Sequence, residues 1–143
     1  MSLFNLKNKS FLITGSSKGI GKSIALNAAI EGAKVIISSR KIDACNKTAD
    51  EINELIGSEV AFPIQANIAD ESQLINLVEE TNKILGKIDV LICNAATNPF
   101  MGSMADIPSD AFDKIMNNNI KANHLLTNLV TPQMIERKDG VII

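Results

Sequence analysis

The sequence contains few of the residues that most often carry chemistry. In 143 residues there is no tryptophan and no tyrosine, and there are only one histidine and two cysteines. The histidine, His124, lies among apolar residues of a predicted helix, which is typical of a structural side chain rather than a catalytic one. Cys45 and Cys93 are far apart and show no paired spacing, so we expect reduced structural thiols and neither a disulfide nor a metal site.

Long apolar runs and clusters of one charge are absent too. No apolar stretch approaches the length of a membrane span, and the N-terminus has no secretory pattern. The formal net charge is -2, the pI is near 5.4, and the basic residues are not clustered. Such a charge gives no electrostatic basis for binding nucleic acid or an anionic membrane. We therefore expect a soluble, cytoplasmic protein with neither of these partners.

The sequence does contain a regular alternation of strands and helices. Its 45% of hydrophobic and 21% of charged residues suit one globular domain over residues 1–143. Asp70 is predicted to cap the third helix, and Pro132 to kink the last one. The predicted order is a strand at FLIT, a helix over 20–31, a strand at KVIISS, a helix over 43–56, a strand at EVAFPIQ, a helix between 70 and 86, a strand at KIDVLIC, helices over 109–117 and 119–137, and a strand that starts at 141.

This alternation predicts an α/β fold with a doubly wound parallel sheet, the Rossmann fold. Parallel strands joined by right-handed crossovers leave a ligand crevice beyond their carboxyl ends. The glycine-rich turn after the first strand and Asn94 after the fourth both lie at such ends. The fifth strand starts at Val141 and stops at Ile143, so we expect the domain to be truncated within this strand.

The stretch FLITGSSKGIG, residues 11–21, joins an apolar strand to a helix through Gly15, Gly19 and Gly21. The N-terminus of the helix offers unpaired N–H groups and the positive end of its dipole, and glycines let a bulky anion approach the backbone. The stretch therefore predicts a phosphate cradle. An ordinary glycine-rich turn is the alternative.

The end of the second strand carries a basic side chain where dinucleotide-binding proteins often have an acidic one. The acidic residue would hydrogen-bond the adenosine ribose, but the sequence here is SSRK. Ser39 does not repel a phosphate on the ribose, Arg40 can bind one by charge-assisted hydrogen bonds, and Lys18 adds a second cation. This favours NADP over NAD. The alternative is that Arg40 and its neighbour Lys41 are only a solvated pair.

Three motifs resemble those of the classical short-chain dehydrogenases/reductases. TGSSKGIG resembles their T-G-x-x-x-G-x-G turn, CNAA their Asn-Ala-Gly segment, and NNNIKAN the segment with an active-site asparagine. The resemblance extends from about Leu6 to Ile143, and NAATNPFMGS looks most like NADP-dependent carbonyl and retinal reductases. The family implies an NADP-dependent oxidoreductase that transfers a hydride between the nicotinamide and a small-molecule carbonyl or alcohol, and that forms a homo-oligomer when complete.

The resemblance also implies roles for individual residues. Asn119 is the counterpart of the catalytic asparagine, with Asn117 and Asn118 as bystanders. Asn67 stands where the family usually has an aspartate that accepts from the adenine, and Ala96 replaces a usual glycine. No metal ligand is implied. The cofactor-binding set is Gly15, Ser17, Lys18, Gly19, Ile20, Gly21, Ser39, Arg40, Asn67, Ile68, Asn94, Ala95 and Ala96.

Most of the family's catalytic set has no counterpart in this chain. The family uses a tyrosine as the acid, a nearby lysine, a serine that holds the substrate oxygen, and an asparagine that anchors a water. By resemblance, the serine and the Tyr-x-x-x-Lys motif lie beyond Ile143, so only Asn119 is present. We expect these 143 residues alone to be inactive. The alternative hypothesis is a stand-alone nucleotide-binding or interaction module without catalysis.

Overall fold

A computed structural model describes residues 5–143 of the chain as a five-stranded sheet covered by helices on both faces. Each pair of neighbouring strands is parallel, and the spatial order is β3-β2-β1-β4-β5. The predicted doubly wound Rossmann fold is therefore confirmed. The strands are β1 (Ser10–Thr14), β2 (Lys34–Ser39), β3 (Ala61–Gln65), β4 (Val90–Ile92) and β5 (Val141–Ile142).

Within residues 5–143, five α-helices connect or follow the strands, and they are α1 (Gly19–Ile30), α2 (Ile42–Ile56), α3 (Glu71–Leu85), α4 (Ser109–Met116) and α5 (Ala122–Arg137). A short 3-10 turn, Met104–Asp106, precedes α4. Asp70 caps α3 as predicted, since its side chain accepts from the backbone N–H groups of Ser72 and Gln73. Glycines in the left-handed conformation end α2 and α3, at Gly57 and Gly86.

The core has two layers because successive strand residues point to opposite faces of the sheet. Phe11 and Ile13 of β1 pack toward α1 and α2, where small residues such as Ala25 let the helix approach closely. Leu12 points to the other face and packs with residues of α3 and α5, among them Leu77 and Leu126. Both faces of the sheet are covered, which explains the almost wholly apolar sequence of its central strands.

The structure differs from the sequence prediction in two places. β3 and β4 are shorter than predicted. Before their first residues, Val60 N–H donates to the side chain of Asn53 and Ile88 N–H to that of Gln133. The predicted helix over 119–137 is also not continuous, since a π-helical segment, Asn117–Lys121, joins α4 to α5. Asn119 thus lies in this π segment and not at the start of a regular helix.

Asn94 ties the carboxyl end of β4 to that of β1. Its amide nitrogen Nδ2 donates to the backbone oxygens of Thr14, at 2.9 Å, and Gly15, at 3.1 Å. In return the Thr14 hydroxyl oxygen accepts from the Ala95 N–H at 3.0 Å. These bonds fix where the glycine turn leaves the sheet.

We predict that Asn94→Asp destabilises the chain more than Asn94→Ala, although aspartate is nearly isosteric with asparagine. Alanine leaves the two carbonyl oxygens without this donor, which costs roughly 1–3 kcal/mol. Aspartate adds a carboxylate oxygen that faces them. Chemical denaturation of both variants measures the difference. The control is Asn98→Asp, because the Asn98 side chain accepts a hydrogen bond from the Phe100 N–H and aspartate can do the same. Equal or better tolerance of Asn94→Asp would contradict the prediction.

We also predict that the ionised Asp70 carboxylate stabilises the fold and that this stabilisation is lost at acid pH. Hydrogen bonds from the Ser72 hydroxyl and the Gln73 side chain and N–H hold the pKa of Asp70 below its ordinary value of 3.8. A lowered folded-state pKa means that the stabilisation is present above the ordinary value and is lost as the pH falls through the folded-state value.

The measurement is the melting temperature of the wild type and of Asp70→Asn as a function of pH. Asparagine keeps a capping oxygen but has no charge to titrate. The wild type should have the higher melting temperature at neutral pH, and the difference between the two melting temperatures should disappear as the pH is lowered. Asp50→Asn, on the exposed surface of α2, is the control and should leave the pH profile unchanged. If the difference in melting temperature between the wild type and Asp70→Asn is the same at all pH values, the charge of the Asp70 carboxylate is not the cause of that difference.

Candidate functional site

The glycine turn between β1 and α1 is held from beneath by Ser16, which is fully buried. Its hydroxyl donates to the backbone oxygen of Ile13 at 2.7 Å and accepts from the N–H of Ser38 at 2.8 Å. The hydroxyl therefore joins the carboxyl ends of β1 and β2. Because these hydrogen bonds hold the turn to both strands, the position of its backbone is fixed relative to the sheet.

Two of the glycines are required by close approach. A Cβ on Gly21 would lie 2.5 Å from the backbone oxygen of Gly15 and 2.6 Å from Nδ2 of Asn94. Gly15 itself has a positive φ of 66°, and a Cβ built on it would lie 3.0 Å from the Cα of Ala95. The turn, Asn94 and Ala95 are thus packed so tightly that larger side chains would displace the backbone.

The N-terminus of α1 faces open space. Among the described residues, no side chain caps its first turn, and a Cβ built on Gly19 would meet no heavy atom within 4 Å. The N–H groups of this turn and the positive end of the helix dipole are thus accessible. Lys18, which precedes α1, and Ile20 are both exposed beside it. This geometry suits a phosphate group.

A cleft of about 510 Å³ runs along the carboxyl ends of the central strands. Its walls also include Thr14, Thr97 and Asn118, which the sequence analysis did not assign to the site. The sequence-predicted cofactor residues that line it are Gly15, Ser17, Lys18, Gly19, Ile20, Ser39, Arg40, Asn67, Ile68, Asn94, Ala95 and Ala96. Gly21 is the one predicted residue that does not line the cleft, because it is buried under the turn.

Arg40 lies in the turn between β2 and α2, at one end of the cleft, and its side chain is exposed. Its backbone oxygen accepts from Nε2 of Gln65 at 2.9 Å. The Ser39 hydroxyl oxygen lies 3.2 Å from the sulfur of Cys45, so this side chain contacts the first turn of α2. Arg40 and Lys18 thus place two cations along the cleft, and Ser39 adds no negative charge to it.

Asn67 follows β3 at the same end of the cleft. Its backbone N–H donates to the Gln73 side chain at 2.9 Å, and its side-chain oxygen accepts from the Ala69 N–H at 3.1 Å. A carbonyl oxygen has two lone pairs, so one remains for a ligand donor. The oxygen is therefore held in place and can accept a second hydrogen bond.

The side chain of Asn119 makes two hydrogen bonds to the backbone of Thr97. Thr97 N–H donates to Oδ1 of Asn119 at 2.8 Å, and Nδ2 of Asn119 donates to the Thr97 oxygen at 2.9 Å. Asn119 does not line the cofactor cleft itself. It lines a neighbouring, largely apolar cavity of about 430 Å³, together with Thr97, Phe100, Met104, Phe112 and Ile115.

Asn118 lies closer to the cleft than the sequence indicated. It lines the cleft, and its Nδ2 donates to the Thr97 hydroxyl oxygen at 2.9 Å. Its side chain thus lies at the cleft, and its interpretation as a bystander in the reaction stays a prediction. The π segment turns neighbouring asparagines toward the same loop, and no pattern in the sequence signals such a segment. Asn117 lies outside the cleft and lines a separate pocket.

The cysteines and the histidine lie apart from one another in the described chain. Cys45 and Cys93 are both free, Cys45 is buried, and burial raises the pKa of the Cys93 thiol. His124 lies on the exposed side of α5 with Nε2 at 3.1 Å from Nδ2 of Asn128. Within residues 5–143 no group of three metal-ligating side chains comes together, and no helix is long and apolar enough to span a membrane.

Comparison with known proteins agrees with this geometry. The chain is 38% identical over 138 residues to dehydrogenase/reductase SDR family member 4 of Bos taurus, an alignment that covers 96% of this chain and 49% of the relative. It is 36% identical over 141 residues to 7alpha-hydroxysteroid dehydrogenase of Escherichia coli K12, covering 96% of this chain and 52% of the relative. The chain thus spans about half the length of the curated relatives that it matches.

Solved structures of the same kind superpose closely. A 7alpha-hydroxysteroid dehydrogenase in complex with NADH and 7-oxo glycochenodeoxycholic acid has a TM-score of 0.88 at 35% identity, covering 96% of this chain and 52% of that one. A metagenomic short-chain oxidoreductase in complex with NADP has a TM-score of 0.86 at 26% identity, covering 96% and 61%. The family described as short chain dehydrogenase matches residues 9–143, nearly the whole sequence. With the glycine turn, the parallel sheet and the cleft in the expected places, this chain belongs to the short-chain dehydrogenase/reductase family.

Proposed function

We propose that the chain binds NADP(H) in the cleft, and that the complete protein transfers a hydride between its nicotinamide and a small-molecule carbonyl or alcohol. The observation that carries the choice of cofactor is the pair of cations, Arg40 and Lys18, on a cleft wall where Ser39 replaces an acidic residue. Structural neighbours include complexes with NADH and with NADP, so the choice depends on this chain's own side chains.

The residues of the cleft fit a phosphorylated dinucleotide. The open first turn of α1 and the space above Gly19 suit the pyrophosphate. Arg40 and Lys18 suit a ribose 2′-phosphate, because charge-assisted hydrogen bonds to phosphate are among the strongest that side chains make. The remaining lone pair of the Asn67 oxygen suits the adenine amino group. We assign the nicotinamide end to Ala95 and Ala96, at the opposite wall.

The bound cofactor would supply the hydride, and this chain's residues position it. We propose that Asn119 contributes by fixing the backbone of Thr97 beside the cleft, since both polar atoms of its side chain contact that residue. The second lone pair of its Oδ1 is available to a water, as the family's proton path requires. No tyrosine occurs in these 143 residues, so the proton donor expected from the family would lie outside them.

The absence of tyrosine also favours a second candidate, a nucleotide-binding module without chemistry. The coding sequence downstream of codon 143 separates the two. A reading frame that continues with a serine and a Tyr-x-x-x-Lys motif supports the oxidoreductase, and a stop codon supports the module.

We further propose that the complete protein is a homo-oligomer in the cytoplasm. Phe112 and Met116 of α4 and Ile120 of the π segment are large apolar residues, and their exposed fractions are 41%, 42% and 58%. Neighbouring exposed apolar side chains of this kind are typical of a subunit contact.

We predict that Arg40→Asp abolishes or reverses a preference for NADPH over NADH. The substitution removes a charge-assisted hydrogen bond and adds a repelling charge, so the affinity for NADPH should fall by about one to two orders of magnitude. NADH affinity should change little. Dissociation constants of both nucleotides, measured by fluorescence or calorimetry, test this. Lys41→Asp makes the same charge change at an exposed residue that does not line the cleft, and it is the matched control. The assignment of Arg40 is wrong if the wild type binds both nucleotides equally, or if Arg40→Asp leaves the preference unchanged.

A further inference from the structure

The turn that carries Arg40 is fixed on both sides of that residue. The peptide plane before Arg40 is held by the Ser39 oxygen, which accepts from the Ala66 N–H at 3.0 Å. The plane after it is held by the Arg40 oxygen, which accepts from Nε2 of Gln65 at 2.9 Å. Fixing both planes fixes the backbone dihedrals of Arg40, and these set the direction in which its side chain leaves the chain.

The two hydrogen bonds differ in how they depend on the sequence. Ala66 donates through its backbone, in continuation of the β2–β3 ladder, so almost any residue there could make this bond. The second bond requires a side chain of the right length with an N–H donor at the last residue of β3, and Gln65 supplies it. Gln65 is therefore the residue-specific part of the turn's support.

We propose that Gln65 is a positioning residue for cofactor selectivity, which holds the backbone at Arg40 so that the guanidinium is directed toward the ribose 2′-phosphate. The inference rests on the proposed function, in which Arg40 binds this phosphate. Gln65 acts through the turn, since it does not line the cleft.

The physical reason for an effect on affinity is preorganisation. A free turn between β2 and α2 would sample several backbone conformations, and binding would have to select one of them. A turn fixed in advance avoids that loss, but only for ligands that Arg40 contacts. Gln65 should therefore affect ligands with the 2′-phosphate and leave ligands without it unaffected. A residue that only stabilised the fold would affect both.

The experiment compares 2′,5′-ADP with 5′-AMP, two fragments that differ by the phosphate in question, in calorimetric titrations of the full chain. The variant is Gln65→Met, which keeps the length of the side chain and removes the donor. Gln65 is exposed, so the substitution does not disturb the core, and thermal unfolding checks this. Gln133→Met makes the same replacement on α5, far from the Arg40 turn, where Gln133 accepts from the N–H of Ile88 just before β4. It controls for a general loss of stability.

We expect Gln65→Met to lower the affinity for 2′,5′-ADP by about three- to tenfold, the range that corresponds to one hydrogen bond, with 5′-AMP binding unchanged. Gln133→Met should leave the ratio of the two affinities unchanged. In the Arg40→Ala background the additional effect of Gln65→Met should disappear, because the two residues act as one unit.

Other outcomes separate the two hypotheses. If Arg40→Ala removes the discrimination between the fragments but Gln65→Met leaves it intact, or lowers both affinities equally, the role of Gln65 is overturned and the proposed function stands. An effect of Gln65→Met that persists undiminished in the Arg40→Ala background also overturns it. If Arg40→Ala itself leaves the discrimination unchanged, the phosphate assignment is wrong and the inference falls with it.

Discussion

The hydrogen bonds from Asn94 to the backbone oxygens of Thr14 and Gly15 are the constraint on which the site depends. They draw the carboxyl ends of β1 and β4 together and bring Ala95 against Gly15. Position 21 must then be glycine, because a Cβ there would meet both the Gly15 oxygen and the Asn94 amide. With that contact made, α1 begins close to the sheet and its open first turn faces the cleft. One side-chain amide thus determines how the strand, the turn and the helix meet.

Side-chain amides hold the backbone of other loops around the cleft in the same way. A strand that ends leaves backbone N–H and C=O groups without ladder partners, and the loops beyond the carboxyl ends of a parallel sheet must satisfy them. Here side-chain amides do so on each wall: Asn94 on the glycine turn, Gln65 on Arg40, and Asn119 on Thr97. An amide carries donors and an acceptor but no charge, so it can bind a loop without opposing an anion nearby. The cations, Lys18 and Arg40, remain available for the ligand.

The sequence predicted the fold well, because its signals are local and repeated. Apolar strand patterns, helical periodicity and the Asp70 cap each correspond to a physical requirement of one element. It also located most of the cleft, since the carboxyl ends of neighbouring parallel strands must meet. It did not reveal the π segment, because one extra residue in a helical turn leaves no periodic signature. The contacts of Asn118 and Gln65 were missed for a related reason: each depends on a loop distant in sequence.

The placement of these residues separates the recognition of the cofactor from the chemistry that would follow. The cations and their support lie at the ends of β2 and β3 and at the start of α1, whereas Thr97 and its asparagine partners lie beyond β4. Different elements thus carry the two ends of the cleft, and the rigid sheet sets the distance between them. Under the proposed function, changes at Arg40 or Gln65 would alter the affinity for the phosphorylated ribose without moving Thr97. The apolar cavity beside Asn119 shares only Thr97 with the cleft. Under the proposed function, this cavity could therefore vary with the substrate while the preference for the cofactor is retained.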